Sequence, residues 1–269
     1  MQPDFSRGQV GQDSLVVVQL QIDTWGYDHS DIVPRKAFLV MQKVGGQVMG
    51  AFDTSLPGAP PEGDANSMVG FVMSLPGVKT GEAHCDKPMA YLHSHMLAVR
   101  EPYRNTGLGT QLKLEQRLEA LSRGIAYMEW TFDPLEIKNA HLNICKLGAI
   151  VRGYRENFYG VSSSRLQGGL PTDRLLAEWH LDSDRVRAIL AGDPLPKPVI
   201  TETIVVPASI YQWKASDQDR GKALAIQSEN RLKFQQAFSR GMAVLGFRRD
   251  AEGNGFYELG PLFQSGTGI

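Results

Sequence analysis

Apolar and polar positions alternate along this chain in two rhythms, and the changes of rhythm mark its elements. Leu15 to Trp25 is the first apolar run after a polar, Gly-rich opening from Met1 to Ser14. Val16-Val17-Val18 favours strand there, the spacing of Val18, Ile22 and Trp25 favours helix, and helix is the reading adopted. Gln47 to Phe52 and Met68 to Ser74 predict two strands, joined through Pro57-Gly58-Ala59-Pro60-Pro61-Glu62-Gly63, with Pro76-Gly77 closing the second. Tyr91 to Val99 alternates as a third strand. That alternation predicts His93, His95, Leu97 and Val99 on one face and Leu92, Ser94, Met96 and Ala98 on the other. A leucine-rich helix follows from Leu108 to Leu121, ended by Gly124, and Ile125 to Phe132 is a fourth strand.

Asp133-Pro134-Leu135-Glu136 then offers Asp as N-cap, Pro at the first helical position and Glu two positions later, which predicts a second helix running to Gly148. Ala149 to Tyr159 and Leu175 to Leu181 read as strands. The order β-β-β-α-β-α-β-β predicts an α/β layered domain (α+β), with a mixed, mostly antiparallel sheet flanked by helices. Beyond Asp182 the character shifts: Pro194, Pro196 and Pro198 make a stiff link, Ile200 to Val206 a strand, and Ser216 to Arg240 one long helix capped by Ser216 and ended by Gly241. Met242 to Arg248 and Phe256 to Leu259 are strands around the turn Gly253-Asn254-Gly255. The expected organisation is a tail over 1–14, a principal domain over 15–181, and an α/β extension over 182–269, packed on that domain or on a dimer mate.

Composition narrows the function. With 28 Lys plus Arg against 29 Asp plus Glu, the net charge of −1 offers no electrostatic case for nucleic acid or an anionic membrane. Cys85 and Cys145 are too few for a disulfide framework and lack C-x-x-C spacing, so a reducing compartment is expected and structural zinc is not. No apolar run approaches the roughly 18 residues of a membrane span, and the opening has no hydrophobic signal region. A cytoplasmic protein without a metal is the expectation, and a homodimer stays open.

The chemistry concentrates between the third strand and the helix after it, at Arg104-Asn105-Thr106-Gly107-Leu108-Gly109-Thr110. Two glycines one residue apart let backbone approach an anion, because no Cβ intervenes and positive φ is cheap. The first amides of the following helix lack intrahelical partners and carry the positive end of its dipole. Gln111 and Leu112 stand where a dinucleotide-binding loop would place its third glycine, and the Gly-Lys-Ser/Thr ending of a P-loop is missing.

Strand, R-x-x-G-x-G, helix, strand and helix, followed by Lys146-Leu147-Gly148-Ala149, resembles the GNAT superfamily of acyl-CoA N-acyltransferases. The resemblance covers roughly Leu15 to Leu181. Tyr91 to His95, Asn139 to Asn143 and Phe158-Tyr159-Gly160 look like an uncharacterised bacterial and archaeal branch, loosely associated with N-acylation of amino acids. What the resemblance implies is acetyl-CoA or another short acyl-CoA as co-substrate. Its pyrophosphate would lie on the amides of Arg104, Asn105, Thr106, Gly107, Leu108, Gly109 and Thr110, and its pantetheine along Leu97, Ala98 and Val99, with Asn139 as a further contact. The acceptor it implies is a primary amine on a small molecule, an amino acid among the candidates; a protein or antibiotic acceptor stays open. So does a degenerate domain that binds acyl-CoA without turnover.

His93-Ser94-His95-Met96-Leu97-Ala98-Val99 is similar to the H-x-H-x-L-A-V strand of arylalkylamine N-acetyltransferases, which implies that His93 and His95 remove a proton. The need is chemical: a protonated amine cannot attack a thioester, and imidazole titrates in the right range. Core or ion-paired histidines remain the alternative. Glu129, on a strand expected to be covered on both sides, is a second candidate base acting through water, against a buried structural ion pair. Asp133 is explained by capping. The family often has a tyrosine where this chain has Ile144, so the leaving thiolate would take its proton from Tyr154 or Tyr159, or leave without a dedicated acid. Cys145, Trp179 and Trp213 read as packing residues. Lys113, Glu115, Gln116, Arg117 and Glu119 read as a solvated helix face, as do Arg231, Lys233 and Arg240, with an anion contact open for Lys113 and for the C-terminal trio.

Overall fold

The computed structural model of the chain describes residues 5–9, 14–80 and 88–262; Cys85 and most of the opening tail lie outside them. The chain divides into two compact units, residues 1–128 and 129–269.

The first unit holds β1 (Phe5–Gln9), α1 (Ser14–Trp25), α2 (Arg35–Lys43), β2 (Gln47–Asp53), β3 (Met68–Lys79), β4 (Met89–Val99) and α3 (Leu108–Ser122), and β5 (Tyr127–Phe132) begins at its end. Strands β1 to β4 pair antiparallel in that order. Leu15 to Trp25 is helical, but its buried stripe is Val17, Leu20 and Gln21, not the Val18, Ile22, Trp25 spacing, whose residues are only partly buried. With Phe38 of α2, Val17 and Leu20 cover one sheet face, packing on Val48, Phe71, Met73, Met96 and Ala98. Leu108 and Leu112 of α3 cover the other, on Ala51, Val69 and Val72.

Two expectations need correction here. Part of the predicted tail is strand β1, paired with β2 from Phe5↔Asp53 to Gln9↔Met49. An outer strand needs only backbone donors and acceptors, so its residues carry little apolar signal. Pro76-Gly77 does not close the second strand either, because β3 continues to Lys79. β2 pairs with β3 only as far as Ser74, so Pro76 lies beyond that pairing, opposite Leu92 of β4.

The second unit contains α4 (Ile137–Ala140), which continues as a π-helical segment His141–Lys146, then β6 (Ile150–Arg155), β7 (Arg174–His180), α5 (Asp184–Ala191), β8 (Glu202–Val206), α6 (Ile210–Ala215), α7 (Arg220–Ser239), β9 (Met242–Arg249) and β10 (Gly255–Pro261). Its strands run β7-β6-β9-β10-β8, with antiparallel pairs throughout. The C-terminal strands thus extend the chain's own sheet, β9 meeting β6 at Val151↔Val244.

Several predicted boundaries move. Helix α4 starts at Ile137, with Asp133 forming a turn instead of a cap: its Oδ1 accepts from Leu135 N at 2.8 Å and its carbonyl from Glu136 N at 3.1 Å. Strand β6 stops at Arg155, because Asn157 N turns to Asp173 Oδ1 at 2.9 Å. Ser216 caps a turn, accepting from Asp219 N, and α7 starts at Arg220. The buried stripe of α7 is Ala223, Gln227, Asn230, Phe234 and Ala237, helical in spacing but too small and polar to stand out in the sequence. Trp179 is in the core as expected, donating Nε1–H to Leu147 O at 2.6 Å. Trp213 is half-buried, and its neighbour Lys214 is the buried one.

Among the described residues no helix is long and apolar enough to cross a membrane, and no three His, Cys, Asp or Glu side chains group to hold a metal ion.

Candidate functional site

The third predicted strand does not alternate uniformly. β3 and β4 pair Met73↔Met96 and then Ser74↔Ser94, so His95 is an extra residue on β4, a β-bulge. Beyond it the faces exchange. Met96 and Ala98 join the core under α1 and α2, Leu97 and Val99 pack with Leu108 and Leu112 of α3, yet Ser94 also faces α3, bonding its Lys113 and Gln116. His93, opposite Leu75, therefore lies on the α1/α2 face, away from Leu97 and Val99. The expectation of one common face for His93, His95, Leu97 and Val99 is overturned by that inserted residue. The two imidazoles nevertheless lie side by side, centroids 6.3 Å apart. Burial, and secondarily the neighbouring His93, hold the His95 pKa below its ordinary value, so the ring is neutral at neutral pH.

After β4 the chain turns through a short 3₁₀ segment, Glu101–Tyr103. Tyr103 donates its hydroxyl to Asp53 Oδ2 at 2.7 Å, fastening the segment to the end of β2. Arg104 folds back, its Nε donating to Val99 O at 3.0 Å, and Thr106 Oγ1 donates to Tyr103 O at 2.7 Å. Asn105 and Gly107 adopt positive φ, 64° and 92°. Gly107 is the N-cap of α3, and no side chain caps the amides of the first turn. A Cβ on Gly107 would meet nothing within 4 Å, and one on Gly109 only Leu97 Cδ2 at an ordinary 3.6 Å. Packing therefore does not require glycine at 109, whereas backbone approach by an anion does. The turn is exposed and its first helical amides are open, which suits a pyrophosphate.

Lys113 and Gln116 are not on a solvated face: they are 4% and 0% exposed. Lys113 Nζ donates to Ser94 Oγ at 2.7 Å, and Ser94 Oγ donates to Gln116 Oε1 at 2.8 Å. Burial lowers the Lys113 pKa to about 7. No sequence signal marks this residue, because a lysine in a polar-looking helix reads as surface. Near the start of β4, Lys79 Nζ stands 4.6 Å from the Tyr127 ring centroid and 5.3 Å from that of Tyr91, a cation–aromatic cluster also missed in the sequence.

The other predicted residues belong to the second unit. Glu129 is buried on β5, and Asn139 is exposed on α4. Tyr154 donates its hydroxyl to Asp173 Oδ2 at 2.6 Å. Burial and that carboxylate push the phenol far above its ordinary pKa, which makes it a poor proton donor. Arg231 is not on a solvated face either, since its Nε pairs with the fully buried Asp173 at 2.9 Å; Lys233 pairs with Glu229 and Arg240 with Glu202. Cys145 donates Sγ–H to Phe247 O, and burial raises its pKa, so it is a poor nucleophile. Ile144, in the position where a tyrosine acid is common, is fully packed.

No protein-family model matches the sequence, and no curated protein matches it. Solved structures do match. NAA60 of Arabidopsis thaliana in complex with acetyl-CoA is 14% identical, with 66% of this chain and 99% of that chain covered and a TM-score of 0.50. The ribosomal-protein-S18-alanine N-acetyltransferase from Escherichia coli is 13% identical over 74% of this chain and 100% of that one, TM-score 0.47. An acetyltransferase of the GNAT family from Streptococcus pneumoniae is 16% identical over 65% and 98%, TM-score 0.46. At such identities the likeness concerns architecture, and the architecture of this chain is that of the GNAT N-acyltransferases.

Proposed function

We propose that the protein is an acyl-CoA-dependent N-acyltransferase that passes an acetyl, succinyl or other short acyl group to a primary amine of a small molecule, an amino acid being the preferred class. The carrying observation is the turn at Gly107 to Gly109, where open helix amides coincide with a glycine that packing does not demand. In support, a protein of the same fold has been captured with acetyl-CoA. In this reading the amides from Asn105 to Thr110 hold the pyrophosphate, and the edge of β4 at Leu97 to Val99 lines the pantetheine arm. Backbone amides of β4 at the bulge receive the oxyanion, in this reading, as the amine attacks directly in a ternary complex. His95, neutral at neutral pH, accepts the proton of the incoming ammonium, and His93 passes it on.

Release of thiol from acetyl-CoA or succinyl-CoA with a panel of amino acids, peptides and aminoglycosides tests the reading. Turnover restricted to peptides or aminoglycosides would replace the small-molecule acceptor. The buried Ile144 favours a second reading, an acyl-CoA-binding domain without turnover; tight binding with no thiol release across the panel would establish it.

The histidines carry a prediction of their own. His93→Ala combined with His95→Ala should lower kcat/KM about 10²- to 10⁴-fold for an alkylamine, and much less for a weakly basic arylamine that is already neutral. Because the His95 pKa lies below the ordinary value of about 6.5, wild-type activity should hold through that pH and fall only below it as the imidazole gains its proton. The double variant should lose this acid limb. An unchanged pH profile would remove both residues from the mechanism.

A further inference from the structure

The bulge that sets His95 apart is bordered by a single buried polar network in the first unit, which holds Ser94 before it and Ser74 across the ladder. Ser94, the residue before His95, accepts from Lys113 Nζ at 2.7 Å and donates to Gln116 Oε1 at 2.8 Å, both on α3. Ser74, its partner across the ladder, donates to Gln47 Oε1 at 2.9 Å, and the Gln47 backbone N–H returns a bond to Ser74 Oγ at 3.3 Å. Gln47 Nε2 in turn donates to Gln116 O at 2.9 Å and to the Glu119 carboxylate. Gln47, Ser74, Ser94, Lys113 and Gln116 are all at most 4% exposed. Strands β2, β3 and β4 are therefore locked to α3 at the register where the extra residue enters.

Apolar side chains would fill the same space without discriminating between registers. Gln116 Nε2 is already buried without a partner, and a strand slipped by one residue would turn Ser94 to the wrong face and leave Lys113 Nζ and Gln116 Oε1 without its hydroxyl as well, so this network favours one register. Lys113 also sits one helical turn after Gly109, so the lock spans the short path from the anion-binding turn to the bulge.

We propose that Lys113 and Ser94 are positioning residues: they fix the bulge register of β4 and thereby hold His95 at a set distance from the anion-binding turn of α3. Their influence on turnover rests on the acyltransferase reading; their influence on His95 geometry does not. Neither residue touches the reacting atoms in this assignment. Lys113 acts as a donor whose loss leaves Ser94 and Gln116 free to repack and the bulge free to migrate.

The test uses the full chain, with Lys113→Met, Ser94→Ala, Lys113→Gln and the surface control Leu118→Ala. Turnover with acetyl-CoA and a responsive amine, acetyl-CoA affinity by calorimetry, and the imidazole ¹⁵N resonances of His95 are measured. Lys113→Met and Ser94→Ala should lower kcat roughly 10- to 100-fold while acetyl-CoA affinity stays within about threefold. Both should move the His95 resonances, which Leu118→Ala leaves in place. Lys113→Gln, which keeps a neutral donor toward Ser94, should recover more than half of the loss on a logarithmic scale. Turnover of Lys113→Met within about twofold of wild type, an equal loss of affinity, or unmoved His95 resonances would overturn the inference. Should Lys113→Met fail to fold, Ser94→Ala decides on the same readouts. A wild-type chain without turnover would sink the acyltransferase reading instead, and the resonances alone would then decide the positioning role.

Discussion

Gly109→Leu is expected to raise the acetyl-CoA dissociation constant at least about 100-fold, roughly 2.8 kcal/mol, with the thermal midpoint unchanged or slightly higher. A leucine side chain on a helix points back toward the N-terminus and over the preceding turn. From position 109 it would cover the amides of the uncapped first turn, each of which contributes about 1.5–3 kcal/mol when it bonds a charged oxygen. Loss of one or two such bonds accounts for the whole effect. The fold should not object, because the new Cβ would stand 3.6 Å from Leu97 Cδ2, an ordinary contact, and replacing a helical glycine removes about 0.5–1 kcal/mol of entropic penalty. Gly107 is a less clean position, since its φ of 92° would strain any other residue whatever the ligand does. Calorimetric titration with acetyl-CoA decides the matter: an affinity within about threefold of wild type would mean that the turn does not hold the pyrophosphate.

Lys214→Met should destabilise the second unit by about 3–5 kcal/mol at neutral pH. Lys214 Nζ lies 2.9 Å from Asp133 Oδ2 and 2.8 Å from Glu136 Oε1, with its side chain only 6% exposed. Burial pulls its pKa down, but the two carboxylates together outweigh burial and leave it raised. A lysine with a raised folded pKa contributes stability fully below its unfolded value, lost only as pH rises through the folded one, so the triad is intact at neutral pH. Methionine fills the volume and strands two carboxylates in poorly hydrated surroundings. The deficit should therefore shrink on acidification, as protonation removes the unpaired charges. Urea unfolding of wild type, Lys214→Met, and Lys214→Met with Asp133→Asn and Glu136→Gln would check this, the last variant regaining much of the loss. A deficit below about 1 kcal/mol would class the triad with surface pairs.

Much of the turn from Arg104 to Thr110 was legible because its signal is local. Gly107 answers to backbone conformation, with its positive φ, and both Gly107 and Gly109 lie at the start of the helix they open. α3, β2 and β7 were legible for the same reason, as local apolar runs; α1 and β4 were legible as elements, but not the buried stripe of the one nor the faces of the other. α5 was legible and overlooked: Ser183 caps it by accepting from Val186 N, Asp184 stands in its first turn, and Gly192 leaves it at φ 78°. α6, of 6 residues, is too short for periodicity to register.

Spacing, turn chemistry and composition thus determined an α/β layered chain with a glycine-bearing turn between a histidine-bearing strand and a helix. They could do so because those properties depend on neighbours in sequence. Tertiary structure alone decided that His95 is an inserted residue, that His93 and Leu97 occupy opposite faces, and that Lys113, Lys214 and Arg231 are held by buried partners. A bulge exists only relative to the strand paired with it, and a charged side chain is buried only when some distant element covers it. The residues that impose these conditions, Ser74 on β3, Asp133 beyond β5 and Asp173 before β7, come from elements that local periodicity does not connect.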